Sequence, residues 1–385
     1  MKRNAMIVAV VCFSAIAVTN LFAEDPLFLG PEEIVLAGVD DIDVPGYSVP
    51  FYIDWNNDGL KDLVTGQGSG TTTAKVRIYL NVGTESIPEF TTYFYAQSSG
   101  ADLTCAGSGC LGCFPRVVYW DDDERKDLLI GLSNGTVKIY LNINTDNDPQ
   151  FDGGTYLKVG EAGSKSNIDV GNRATCTVVD WNSNGRKDLV IGAYDGKIHL
   201  FINEGNDAEP DFRVETFAQQ NDSDLDVPSG RSSPHVLDLD NDGKKDLLTG
   251  NTNGKLLFYG NAGSDSAPNF ADYSFVKSDG LTIDLPGTPR SRPYVCDWTS
   301  DNYLDVLIGA GDGKVHLYQG LPFLGDFEPD GDVDFHDFAV LASAWQSTIG
   351  DDNFNSKYDI SDPPDNIIDE LDLTVFVGNW QAGAQ

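Results

Sequence analysis

The stretch VDWNSNGRKDLVIG, residues 179–192, decides the fold. It sets an apolar residue ahead of an acid, runs through Asn, Ser and Gly, which favour a tight turn, and ends on Leu-Val-Ile-Gly, which suits a buried strand. The same pattern stands at YIDWNNDGLKDLVTG (52–66), VYWDDDERKDLLIG (118–131), LDLDNDGKKDLLTG (237–250) and CDWTSDNYLDVLIG (296–309). The last acids of the five loops, Asp62, Asp127, Asp188, Asp246 and Asp305, recur at intervals of 58 to 65 residues. One supersecondary unit is therefore repeated.

Each unit predicts four strands. In the third, one strand follows Pro149-Gln150-Phe151 and the others cover Thr177 to Asp180, Asp188 to Ile191 and Lys197 to Ile202. Alternation on the last sets Ile198, Leu200 and Ile202 inward and His199 and Phe201 outward, with His316 at the same outward position as His199. Gly135, Gly196, Gly254 and Gly313 mark tight turns between the third and fourth strands. Four strands per unit with no helical periodicity between them predict an all-β chain, a five-bladed β-propeller of four-stranded blades over residues 24–320. Beyond Leu321 apolar residues fall at helical spacing, as in Phe338, Leu341 and Trp345 and again in Leu373, Phe376, Val377 and Trp380. Residues 321–385 are therefore expected to form a small α-helical domain.

Sixty acidic residues against 25 basic ones give the 385-residue chain a formal charge of −35. Such a chain is repelled by phosphate backbones and anionic lipid surfaces, so nucleic acid and membrane surfaces are excluded as partners. Its 20 Phe, 15 Tyr and 6 Trp distinguish it from disordered acidic chains. Residues 1–23 read as a secretory signal: Lys2 and Arg3, an apolar run from Ala5 to Val18, and the small Ala23 before Glu24. No later segment approaches a membrane span. A secreted, extracellular protein is expected. Cys105, Cys110 and Cys113 crowd one loop, where an exported chain is expected to form a disulfide; which two pair is open, and Cys176 and Cys296 stand apart.

Where the acids sit matters more than their number. The repeated loop has the form D-x-[DN]-x-[DN]-G-x-x-D, and oxygens at positions 1, 3, 5 and 9, with a carbonyl from position 7, can converge on one hard cation, which points to Ca²⁺. Repeat one offers Asp54, Asn56, Asp58, the carbonyl of Leu60, and Asp62; repeat three Asp180, Asn182, Asn184, the carbonyl of Arg186, and Asp188; repeat four Asp238, Asp240, Asp242, the carbonyl of Lys244, and Asp246. Repeat five has Asp297, Thr299, Asp301 and Asp305 but Asn302 in place of glycine. Repeat two departs furthest: Tyr119 replaces the first acid and Glu124 the glycine, leaving Asp121, Asp123 and Asp127. The competing reading is a metal-free Asx turn in each loop. In the tail, Asp326, Glu328, Asp330, Asp332, Asp334 and Asp337 follow EF-hand-like spacing, and Asp359, Asp365, Asp369 and Asp372 form a second copy lengthened around Pro363 and Pro364.

On these motifs residues 26–320 resemble the FG-GAP/VCBS repeats, whose members are calcium-binding β-propellers of the integrin α-subunit type. Residues 323–385 resemble a type I dockerin. The resemblances imply about four or five Ca²⁺ in the propeller, two in the tail and a cohesin-like partner for the tail. In dockerins the tenth and eleventh loop positions help choose that partner; here they are Phe335 with His336 and Glu370 with Leu371.

If the strand entering each loop is innermost, as in the resembled family, a second set of residues gathers at the opposite mouth of the ring. Arg116, Arg173, Arg231, Arg290 and Arg292 lie there with Tyr47, Phe51, His235 and Tyr294. Guanidinium forks beside aromatic rings suit acidic or hydroxyl-rich sugars; alternatively each arginine pairs with an acid of the neighbouring blade. No catalytic residues are assigned. The leading expectation is a carbohydrate- or protein-binding module docked through its tail. A polysaccharide lyase or glycoside hydrolase on the same tail, with His235, Tyr294 and an arginine as a lyase centre, is the first alternative, and a structural or adhesive protein the second.

Overall fold

The computed structural model describes residues 26–68, 73–106, 112–287, 289–327, 333–361 and 363–380. The expected signal segment, Cys110, Glu328, Asp330 and Asp332 lie outside the described residues.

The strands entering the five loops are Ser48–Ile53, Phe114–Val118, Thr175–Val179, Ser233–Leu237 and Arg292–Cys296. Each touches the next and the last touches the first, so they line a central channel. Each pairs antiparallel with the strand that begins at the final loop acid, Asp62–Gln67, Asp127–Gly131, Asp188–Gly192, Asp246–Gly250 or Asp305–Gly309. A third strand follows outward in every case. These second strands are buried along their whole length, because both faces pack against neighbouring layers, and they read accordingly as unbroken apolar runs.

The outermost strand differs from the sequence expectation. Sequence order puts the segment following Pro149-Gln150-Phe151 in the third unit, but Thr155–Tyr156 pairs with Val137–Tyr140 of the second. The segments that follow the other Pro-x-Phe motifs pair in the same backward sense. Leu29–Ile34, after Pro26-Leu27-Phe28, pairs antiparallel with Val315–Gly320 of the last unit and closes the ring by joining the two ends of the propeller. Each linker then forms a short hairpin, such as Gln219–Gln220 with Ser223–Asp224, which pairs in parallel with the next Pro-x-Phe segment, here Asn269–Phe270. These extra strands correct the picture of five four-stranded blades: among the described residues there are six sheets of three or more strands, the largest with six.

The outward placement of His199, Phe201 and His316 is also corrected. All three are buried, because the third strand is covered on both faces. His199 meets Glu215 at 2.6 Å and His316 meets Glu32 of the closing strand at 2.5 Å. Cys105 and Cys113 form the disulfide, while Cys176 and Cys296 are free.

After Leu321 come two helices, α1 (Phe335–Ser343) and α2 (Glu370–Gly378), each opened by an aspartate N-cap and a capping box, Asp334 with Asp337 and Asp369 with Asp372. Val333, Leu341, Ala344, Ile368 and Phe376 form their shared core, and Phe338 and Val377 remain exposed. Phe323 stacks on Phe28 of the propeller at 6.0 Å. No helix among the described residues is long and apolar enough to cross a membrane.

Candidate functional site

The five loops share one construction. The residue at position 4, Asn57, Asp122, Ser183, Asn241 or Ser300, adopts a left-handed backbone with φ between 54° and 59°. Position 6 is left-handed as well, and glycine supplies it in three repeats. Glu124 and Asn302 take the same conformation, φ 64° and 71°, so the two loops without glycine keep the turn despite the steric cost. The first acid caps the turn: Asp54, Asp180 and Asp297 each accept backbone N–H bonds from positions 5 and 6, and Asp238 accepts one from position 6.

The final acid does something its spacing does not announce. Both oxygens of Asp188 accept backbone N–H bonds, from Trp181 at 3.0 Å and from Asn203 at 2.7 Å. The other four acids repeat this with Trp55 and Asn81, Trp120 and Asn142, Leu239 and Asn261, and Trp298 and Gly320. Each final acid therefore staples its loop to the end of the third strand. Burial pushes Asp246 up to about 7 and Asp62, Asp127 and Asp305 up to about 6; the backbone N–H groups offset this in part, and the other loop acids add to the rise.

Positions 1 and 3 add oxygens around this staple. In repeat four, carboxylate oxygens of Asp238, Asp240 and Asp246 all lie within 4.8 Å of one another, and in repeat two those of Asp121, Asp123 and Asp127 do the same. The loop weakest by sequence thus brings three carboxylates together, as the complete loop of repeat four does. Asp121 Oδ1, Asn182 Oδ1, Asp238 Oδ1 and Thr299 Oγ1 are enclosed yet make no hydrogen bond. Repeats two to five each present one such orphaned oxygen at position 1 or 3, where a cation ligand is expected. In repeat one the amide of Asn56 bonds to Asp58 instead. Leu60, Arg186 and Lys244 occupy position 7; the Lys244 amine pairs with Asp242 at 2.5 Å, and Arg125 pairs with Asp123 in repeat two. Asp58, Asn184 and Asp301 complete position 5 in the remaining repeats.

The lysine at position 8 has a role that the loop spacing does not signal. Lys61 reaches the Asp297 carbonyl, Lys126 the Asn57 side chain, Lys187 the Asp122 carboxylate, and Lys245 the Ser183 hydroxyl. Each latches its loop to that of the preceding repeat. Repeat five has Leu304 there, and the adjoining Tyr303 bonds instead to Asp326 of the tail at 3.0 Å. In the tail Asp337 accepts N–H bonds from Phe327 and Asp334, and Asp372 from Ile360, Ser361 and Asp369, which repeats the stapling role. Asp359 accepts from Asp365 and Asn366.

At the other end of the inner strands, the sequence-selected residues fall into two groups. Phe51, Arg116, His235 and Tyr294 fill the channel together: Phe51 and Tyr294 lie 4.6 Å apart, His235 and Tyr294 5.1 Å, and Arg116 sits over both Phe51 and Tyr294. Burial, helped by the charge of Arg116, pushes His235 down to about 3, and its Nδ1 is enclosed without a partner. Nearer the mouth, Arg290 and Arg292 lie over Tyr47 at 4.7 and 4.8 Å, and Arg173 and Arg292 over Phe114. Arg173, Arg231 and Arg290 all have left-handed backbones, φ 60°, 63° and 49°, at a cost of roughly 1–2 kcal/mol each. Pairing of the arginines with neighbouring acids, the alternative left open above, does not hold for Arg116, Arg173 or Arg231, which make no ion pair among the described residues.

A closed ring of inner strands, with acid loops at one end and arginines at the other, defines an all-β propeller. The FG-GAP-like repeat family model matches residues 180–249, which span the third and fourth loops. No curated protein matches the chain in sequence. Among solved structures it is similar to the catalytic domain of a Coprinopsis cinerea GH62 α-L-arabinofuranosidase, at 13% identity over 77% of this chain and 98% of that one, with a TM-score of 0.42. A GH43_1 enzyme from Xanthomonas citri is similar at 11% identity over 77% and 92%, with a TM-score of 0.42. The Photorhabdus luminescens Tc holotoxin pore matches at 15% identity and a TM-score of 0.37 over 70% of this chain, which spans 11% of that chain.

Proposed function

We propose that the protein is a secreted, calcium-stabilised propeller that acts as a carbohydrate-binding module, with a dockerin-like tail that joins it to a cohesin-type partner. The carrying observation is the orphaned oxygen in each of four loops: one carboxylate, amide or hydroxyl oxygen enclosed among the loop acids that itself accepts or donates no hydrogen bond. An all-oxygen donor set of this kind suits Ca²⁺, which takes six to eight such ligands in flexible geometry. The disulfide and the apolar leader support export.

With the loops occupied by metal, the ligand face is the opposite mouth, where arginines and Tyr47 offer guanidinium forks and ring faces to a sugar. A lyase needs a base within reach of its substrate, and His235 is enclosed and too weakly basic for that work; the binding module is the reading adopted. In the tail, the two capped helices, each preceded by an acidic loop, support the docking role. A glycan array probed with the calcium-loaded protein tests the reading: retention on one class of polysaccharide is expected, and no binding to any neutral or acidic glycan overturns it. Recovery from the producing cell's surface proteins with and without residues 323–385 tests the tail, and equal recovery refutes docking.

A further inference from the structure

The mouth arginines raise an electrostatic question that general sugar binding does not answer. Arg173 is 1% exposed, and its Nε and Nη1 are enclosed without a hydrogen bond; Nη1 of Arg231 is enclosed in the same way. Neither residue makes an ion pair among the described residues, although the chain has 60 carboxylates. Removing a guanidinium from water without a counter-charge is strongly unfavourable, and like charges nearby make it worse. After burial, the charges of Arg292, Arg231 and Arg290 bear on Arg173 and hold its pKa well below the ordinary arginine value. Positive charge is therefore concentrated at one point of a strongly negative molecule, and among the described residues no carboxylate pairs with Arg173 or Arg231.

The surroundings give the anion a shape. Tyr47 and Phe114 provide ring faces beside the guanidinium groups. A groove of about 670 Å³, lined by Thr252, Asn253, Lys255, Asp284 and Arg290, runs beside Arg290, a volume suited to a short oligosaccharide. Within the groove Lys255 is drawn toward Asp284 at 3.8 Å. A carboxylate matches the guanidinium fork in bidentate geometry.

We propose that Arg173 and Arg231, flanked by Arg290 and Arg292, form an anion site for the acidic substituent of a saccharide, a uronate carboxylate or a sulfate ester, with the rest of the sugar lying along the adjoining groove. The site rests on the carbohydrate-binding reading above and gives it a substrate class.

The test is isothermal titration of the full-length, calcium-loaded protein with trigalacturonate, a sulfated disaccharide and neutral cellotriose, together with melting curves in inorganic sulfate and in chloride at equal ionic strength. At least one acidic saccharide is expected to bind tenfold or more tightly than cellotriose, and the tighter of the two identifies the group. Arg173→Gln and Arg231→Gln each lose about tenfold in that affinity, while Arg213→Gln, at an exposed pair with Asp211, changes nothing. Should Arg173→Gln fail to fold, the half-buried Arg231 decides alone. Equal binding of acidic and neutral sugars, or affinity unchanged in Arg231→Gln, overturns the anion site and leaves carbohydrate binding standing. Sulfate that raises the Tm of the wild type but not of Arg231→Gln, with no saccharide bound, supports the anion site and removes the carbohydrate reading. No saccharide binding and no sulfate effect overturn both.

Discussion

At the level of single residues, the loop aspartates do two jobs that one spacing rule merges. Asp188 is readable in the sequence as an oxygen at the ninth loop position. Its bond to the Asn203 backbone is not, because the partner lies 15 residues on, across a strand whose register only the folded sheet sets. Asp188→Ala leaves two buried N–H groups unpaired and is expected to cost about 2–5 kcal/mol in urea unfolding with chelator present; a loss below about 1 kcal/mol contradicts the staple. Asp188→Asn, which keeps one carbonyl acceptor, costs less. The position-8 lysines teach a similar lesson: Lys187 looks like a solvated charge in the sequence, and only ring closure brings the Asp122 carboxylate of the preceding repeat to its amine. The turn was legible even where glycine was missing, since Glu124 and Asn302 bear the left-handed conformation that the pattern demands.

At the level of elements, the inner, second and third strands were legible because apolar runs and turn residues bound them. The Pro-x-Phe strands join the preceding unit and not their own, which the sequence does not show because hydrophobic period reports that a strand exists and not which edge it joins. The same backward pairing makes Leu29–Ile34 the strand that closes the ring, and His316 sits at this junction between Glu32 and Asp312. Burial disfavours its charged form, but the hydrogen bonds to Asp312 and Glu32 outweigh that and hold its pKa above the ordinary value. A raised histidine contributes stability that is fully present below the unfolded value of about 6.5 and is lost as pH rises through the folded pKa. Unfolding free energies at saturating calcium are therefore expected to fall above about pH 6.5. His316→Gln should flatten that decline, and identical slopes in the two proteins contradict the clasp.

At the level of the whole molecule, the charge of −35 resolves into a polar arrangement. Acid loops crowd one end of the channel and arginines the other, separated by the length of the inner strands, roughly 17–20 Å for five or six residues. The acid end was legible from spacing alone. The arginine end was legible as a list of residues but not as a site, because whether each arginine meets an acid depends on which side chains of neighbouring units face one another. Under the proposed calcium binding, a cation in each loop relieves the repulsion among its acids, so the propeller is expected to be least stable when stripped. Each calcium at a hundredfold excess over its dissociation constant adds about 2.7 kcal/mol, so several sites together should move the melt by more than roughly 10 °C. The direct measurement is scanning calorimetry of the full chain, saturated with calcium and then stripped by chelator. The account predicts a Tm lower by more than roughly 10 °C after stripping and restored by calcium; superimposable melts in the two states would contradict it.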